Sequence, residues 1–123
     1  MTFKSHDERR ECVRYPCDFA VKILDPDGKS YLSESCDLSE KGICLLIRAE
    51  QAEQFINTAC QLDIGDSVKI MITDVEGLQQ RSIVCSISHS ARMPEGQYIV
   101  GLFFEDGRDE TRDYILQLLS VYR

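Results

Sequence analysis

The chain has 123 residues, of which 43% are hydrophobic and 28% charged, and its formal net charge is −7. The length suits one domain of the commonest size, and the composition is that of a folded globular chain, not a disordered one. No apolar run approaches the ~18–20 residues of a membrane span, and the polar start lacks the apolar segment of a secretion signal, so the chain reads as cytoplasmic with no membrane partner.

Residues 1–16 form a polar leader that Tyr15-Pro16 closes, since proline disfavours helix in the residue before it. Its stretch DERRECVR holds Arg9, Arg10 and Arg14, with an R-x-x-x-R spacing from Arg10 to Arg14. CDFAVKIL then alternates: Phe19, Val21 and Ile23 fall on one face, Asp18 and Lys22 on the other, as in a half-buried strand. DPDGK supplies a turn, SYLSESCDL a serine-rich strand, SEKG a second turn and ICLLI a short buried strand. RAEQAEQFINTACQ does not alternate and is read as a short helix or irregular excursion.

Alternation returns in IGDSVKIMIT, with Val68, Ile70 and Ile72 on one face, and again in LQQRSIVCSISHS, with Ile83, Cys85 and Ile87. A last strand, QYIVGLFFE, sets Tyr98, Val100, Leu102 and Phe104 against Ile99, Gly101 and Phe103. The period then changes. DETRDYILQLLSVYR places Tyr114, Ile115, Leu118, Leu119 and Tyr122 on one helical stripe, with Asp109 as the expected N-cap and an acidic first turn. About six short strands and a terminal helix imply a small antiparallel barrel or sandwich whose open end the helix covers. With no repeat or low-complexity segment, the chain divides into a leader (1–16), a β-region (17–106) and a helix (107–123) within one domain.

The six cysteines are Cys12, Cys17, Cys36, Cys44, Cys60 and Cys85. Without an export signal they are expected to be free thiols, and no pair has the C-x₂-C spacing of a zinc site, so no metal is expected. Cys44 and Cys85 lie inside apolar runs, where a thiol acts as a small hydrophobe. His89 is the one histidine inside the folded region, and nothing in the sequence ties it to a thiol nucleophile.

Two features carry chemistry. The leader arginines have planar guanidinium forks suited to bidentate phosphate contacts and to stacking on bases. Yet residues 1–14 carry four Lys+Arg against three Asp+Glu, so their meaning lies in spacing and not in local charge; alone, they equally describe a solvated tail. The second feature is DLSEKG, or Asp37-x-Ser39-x-x-Gly42. By itself it is ordinary hairpin chemistry. It also suits a purine nucleotide: Asp37 to accept from a guanine edge or orient an arginine, Ser39 to donate to a phosphate or base, Gly42 to let a ligand approach the backbone.

Taken together, R-x-x-x-R before the first strand, D-x-S-x-x-G after the second and YIVGLFF in the last strand resemble the PilZ domain, over nearly the whole chain. The resemblance implies a six-stranded antiparallel β-barrel with a C-terminal α-helix and a flexible N-terminal arginine leader. It implies a bacterial receptor for cyclic di-GMP, with Arg10 and Arg14 gripping phosphate and guanine and Asp37, Ser39 and Gly42 surrounding the rest of the ligand. Gly101 matches the family's final-strand glycine and is read mainly as structural. Arg9 adds a third guanidinium, which suits an intercalated ligand dimer with its four phosphates.

The implied mechanism is a switch without bond chemistry: the nucleotide orders the leader on the barrel and changes the surface offered to an effector protein. No enzymatic activity and no cofactor are expected. The alternative is a nucleotide-independent adaptor of the same fold, acting through the apolar stripe of the last helix. A nucleic-acid partner is disfavoured, because residues 15–123 hold ten Lys+Arg against eighteen Asp+Glu and would repel a phosphate polymer.

Overall fold

A computed structural model describes residues 13–24, 28–56, 63–73, 75–105 and 107–123. In chain order its elements are β1 (Tyr15–Pro16), β2 (Ala20–Leu24), β3 (Ser30–Leu38), β4 (Gly42–Ile47), α1 (Ala49–Ile56), β5 (Ser67–Ile72), β6 (Arg81–Arg92), β7 (Tyr98–Phe104) and α2 (Asp109–Tyr122). The strands run β1-β3-β2-β5-β6-β7-β4, and a further β3–β4 pairing closes the sheet on itself. All the pairings are antiparallel. β1 and β2 lie end to end along one edge of β3, bridged by hydrogen bonds from the Cys17 amide to the Cys36 carbonyl and from the Ser35 amide to the Phe19 carbonyl. They act as one interrupted strand, so the seven segments make a closed barrel of six strands. Tyr15 and Pro16, expected to end the leader, are instead the first residues of that strand, opposite Leu38 and Asp37.

The alternation read from the sequence determines which side chains fill the barrel. Phe19, Val21, Ile23, Leu45, Ile47, Val68, Ile70, Ile72, Ile83, Cys85, Ile87, Val100 and Leu102 are buried in one cluster. Each such side chain contributes roughly 1.5–3 kcal/mol by leaving water. Two positions break strict alternation. β-bulges lie between Ser35 and Asp37 in β3 and between Ile87 and His89 in β6, with Cys36 and Ser88 as the extra residues. Each bulge shifts which residues after it face outward.

α2 closes the barrel with the stripe expected of it: Tyr114, Ile115, Leu118 and Leu119 are buried, and the Tyr122 ring meets Phe19 at 5.4 Å between centroids. The Tyr114 hydroxyl donates to the Gln79 carbonyl at 3.0 Å, tying the helix to the chain ahead of β6. That stripe is therefore used inside the fold. The expected N-cap is one residue off. Arg108, in extended backbone and without a side-chain cap bond, holds the N-cap position, and Asp109 is the first helical residue, where its charge still suits the helix dipole. The ambiguous segment after β4 starts as a helix, α1, whose Gln51 side chain accepts from the Leu32 amide at 3.2 Å.

Candidate functional site

The bulge in β3 sets up the site. The residues before it, Tyr31, Ser33 and Ser35, are buried, and Leu38 after it is buried again. Between them Cys36 and Asp37 are only half-buried. Asp37 is thereby held on the outer surface, opposite Pro16 on one side and Cys44 on the other. Arg14, one residue before β1, reaches the same place: its Nη1 donates to Asp37 Oδ1 at 2.9 Å, with the two side chains 52% and 32% exposed. A surface ion pair of this kind is weak in water, worth about 0–1 kcal/mol, so both partners exchange readily for a stronger one. The two sequence motifs thus meet at one point.

The turn that follows is built from its own residues. The Lys41 and Gly42 amides both donate to Ser39 Oγ at 3.2 Å, and the Ser39 amide donates to the Gly42 carbonyl at 2.9 Å. Ser39 is 2% exposed. Its hydroxyl shapes the turn from inside instead of pointing at solvent. Gly42 has an equally internal reason: a β-carbon there would collide with the Leu102 carbonyl across the β4–β7 pairing. Gly101 follows the same logic with a different neighbour, since the ring of His89 occupies the space its β-carbon would take. Arg9 and Arg10 lie outside the described residues.

Cys44 does not belong to the barrel interior, unlike Cys85. Ile43, Leu45 and Ile47 point into the core, so Cys44 points out, yet it is 7% exposed. Burial raises its thiol from 9.0 to about 11, and the Asp37 carboxylate adds to that. Burial likewise raises Cys17 to about 11, against a hydrogen bond with Ser35 that pulls the other way. Such thiols stay protonated near neutral pH and are poor nucleophiles. Among the described residues no group of three His, Cys, Asp or Glu side chains is arranged to hold a metal ion, and no helix is long and apolar enough to cross a membrane.

On the far side of the turn lies a surface groove that the sequence did not disclose. Glu40 and Lys41 of the turn line it, together with Phe103 and Phe104 at the end of β7 and Arg112, Ile115 and Leu116 of α2. Phe103 is 51% exposed there. The pairing of Gly42 with Phe103 and the bond from the Phe104 amide to the Lys41 carbonyl bring the turn and the end of β7 together.

The chain is similar in structure to several solved proteins. The PilZ domain of YcgR from Escherichia coli with c-di-GMP aligns with a TM-score of 0.69 at 10% identity, over 93% of this chain and 91% of that one. The K. pneumonia MrkH–c-di-GMP complex gives 0.70 at 17% identity, and the Bacillus subtilis inhibitor of motility MotI/DgrA gives 0.67 at 16%. This chain spans about half the length of those two, 51% and 50%, while 92% of it is covered in each case. At these identities the likeness speaks for the fold. No curated protein matches the sequence significantly. The family model of the PilZ domain matches residues 8–120, from the leader into the last turn of the closing helix, and the chain belongs to the PilZ family.

Proposed function

We propose that this protein is a receptor for cyclic di-GMP, and that the whole chain, leader, barrel and helix, works as one PilZ domain. The observation that carries the reading is the ion pair between Arg14 and Asp37, which brings the R-x-x-x-R and D-x-S-x-x-G motifs into contact. Two structural neighbours, the YcgR PilZ domain and MrkH, are described as complexes with c-di-GMP, which supports the same ligand here. Arg10 and Arg14 grip phosphate and guanine. Asp37 accepts from a guanine edge or aims Arg14. Ser39 and Gly42 act by holding the turn in shape, and Gly101 makes room for the His89 ring. The reading involves no chemical step and no cofactor.

Binding orders the leader against the barrel edge formed by β1, β3 and β4. Because Glu40 and Lys41 sit between the site and the groove beside Phe103, a change in the turn alters the groove as well. That groove is the surface we assign to an effector protein, in place of the buried helix stripe. A cytoplasmic receptor that hands its signal to a partner fits this arrangement.

Titration calorimetry with cyclic di-GMP tests the reading. Arg10→Ala or Arg14→Ala removes a charge-assisted contact worth about 1.5–3 kcal/mol, a loss of roughly 10- to 150-fold in affinity. Binding by both variants as tight as by the parent overturns the site assignment. Arg9 bears on stoichiometry: its extra charge favours two ligand molecules per chain. One ligand per chain, unchanged in Arg9→Ala, defeats that part.

A further inference from the structure

The bulge in β3 also brings two thiols together. Ser35 pairs with Leu45 and Asp37 with Cys44, so Cys36 and Asp37 both stand opposite Cys44. Ser35 and Leu38 are buried on either side of them, while Cys36 and Asp37 are half-buried, and Cys44 faces outward between the core residues Ile43 and Leu45. The three side chains therefore share the outer face. Opposed residues of antiparallel strands lie about 4.5–5.5 Å apart at Cα, within the roughly 4.4–6.8 Å that a disulfide spans. A hydrogen bond already joins the Cys36 and Cys44 thiols. Cys17 is near, its amide donating to the Cys36 carbonyl at 3.1 Å, but its thiol bonds to Ser35.

We propose that Cys36 and Cys44 are a redox-active dithiol, which a small disulfide oxidant closes to an intrachain disulfide, and that closure loosens the Arg14–Asp37 pair. Cys36 reacts first, because it reaches solvent and Cys44 is buried. Its sulfur, giving its proton to water, attacks one sulfur of the oxidant RSSR. That S–S bond breaks, and the departing RS⁻ takes up a proton and leaves as RSH. The Cys44 sulfur, again giving its proton to water, then attacks the Cys36 sulfur of the mixed disulfide and expels the second RS⁻, which leaves as RSH. Two electrons and two protons pass from the pair to the oxidant, and no other reactant is consumed. Excess thiol reopens the bond by the reverse route.

Burial raises both thiols, that of Cys44 to about 11, and the Asp37 carboxylate adds to it; at Cys36 the hydrogen bond from Cys44 pulls the other way. Little thiolate is present near neutral pH, so closure is slow and follows a standing redox poise instead of a brief oxidant pulse. The consequence for the site is local. Joining the sulfurs draws them to about 2.05 Å and pulls the bulge towards β4. Asp37 is the next residue and shares Cys44 as its opposite, so it moves too, and a small movement breaks its 2.9 Å contact with Arg14. The effect on ligand rests on the cyclic di-GMP reading; the dithiol rests on the register of β3 and β4 alone.

Mass spectrometry tests this on the full chain equilibrated with reduced and oxidised glutathione, quenched with acid, alkylated and cut with trypsin. Cleavage after Lys29, Lys41 and Arg48 puts the two cysteines in separate peptides, 30–41 and 42–48, which the disulfide would hold together. The linked peptides should appear as oxidised glutathione is raised and vanish with dithiothreitol. Cys36→Ser and Cys44→Ser should each abolish them, and Cys17→Ser should keep them. Calorimetry should then give the oxidised form a cyclic di-GMP affinity about tenfold below the reduced form's, the loss of one charge-assisted contact. Cys44→Ser, checked for folding by thermal melting, should show no such redox dependence. The inference is overturned if both thiols remain alkylated under oxidising glutathione, if Cys36 ends joined to glutathione or Cys17 and not to Cys44, or if the disulfide closes with affinity unchanged. If the reduced parent does not bind cyclic di-GMP, the receptor reading fails, and the linked peptides alone decide the dithiol.

Discussion

Arg14 and Arg81 sit in two differently built regions of the barrel surface. Arg14, beside β1, has one described partner, the Asp37 carboxylate at 2.9 Å, and is half exposed. Arg81, at the start of β6, is 29% exposed and is held from three sides. Its Nη2 donates to Thr111 Oγ1 at 3.2 Å, Glu110 lies at 3.8 Å, and its guanidinium stands over the Tyr114 ring at 5.9 Å. All three partners belong to α2. The first arginine is available to a ligand; the second fastens the helix to the barrel. Position relative to the covering helix decides the difference, since both side chains have the same chemistry.

The sharpest way to break that division is to weaken the fastened region. Leu118 and Leu119 of α2 are fully buried against the barrel. Leu118→Ala should lower unfolding free energy by about 2–5 kcal/mol, as large-to-small changes in a packed core do. Chemical denaturation reads this directly. The folded fraction should keep its nucleotide affinity, because the site proposed for the ligand, around Arg14 and Asp37, does not draw on the Leu118 side chain. A large loss of affinity in the folded protein would show that the two regions are one cooperative unit.

The arginines themselves give the next, smaller contrast. Arg81→Ala should destabilise by about 1 kcal/mol, through loss of a hydrogen bond and a cation–ring contact. The loss is moderated because Arg81 Nε is buried without a hydrogen-bond partner among the described residues, and its removal relieves that cost. Arg14→Ala should change stability by about 0–1 kcal/mol while reducing nucleotide affinity by the larger factor given above. Equal stability losses in the two variants, measured by thermal melting, would contradict the contrast.

The sequence made the fastened region easy to read and the proposed ligand site harder. Period-2 patterns identified the inward residues of β2, β5 and β6, and a change to helical period identified α2 and its stripe. Those signals come from many residues obeying one rule. The proposed site depends on exceptions. A bulge is a single extra residue, Cys36 or Ser88, and nothing in its chemistry distinguishes it from its neighbours. So the outward turn of His89 was invisible. Cys44 looked like a core residue because its neighbours are apolar, although it faces outward. The motifs pointed to Asp37, Ser39 and Gly42, but not to what the last two do: Ser39 bonds within its own turn, and Gly42 makes room for the Leu102 carbonyl. The groove beside Phe103 required pairings between residues far apart in sequence, and no local pattern encodes those.

Alkaline pH gives the smallest expected effect and separates the regions once more. Burial raises Cys85 from 9.0 to about 12, with Glu105 adding to it, while Cys17 and Cys44 rise to about 11. In the unfolded chain these thiols lose their protons near pH 9; in the folded one they keep them to about 11 or 12. Between those limits the unfolded state binds fewer protons, so stability is fully present below about pH 9 and falls as pH rises through the folded values. Up to about pH 10.5 all three stay largely protonated in the folded state, so they contribute comparable slopes, with that of Cys85 the largest by a small margin. Denaturation midpoints from neutral pH to about pH 10.5 should decline in the parent and decline less steeply in Cys85→Ala, which starts from a lower stability because of its cavity. A slope unchanged by Cys85→Ala but reduced by Cys44→Ala would move the alkaline sensitivity from the core to the outer face beside Asp37, where burial, with the Asp37 carboxylate adding to it, holds the thiol protonated. That result would make the outer face around Asp37, and not the barrel interior, the part of the fold that high pH loosens first.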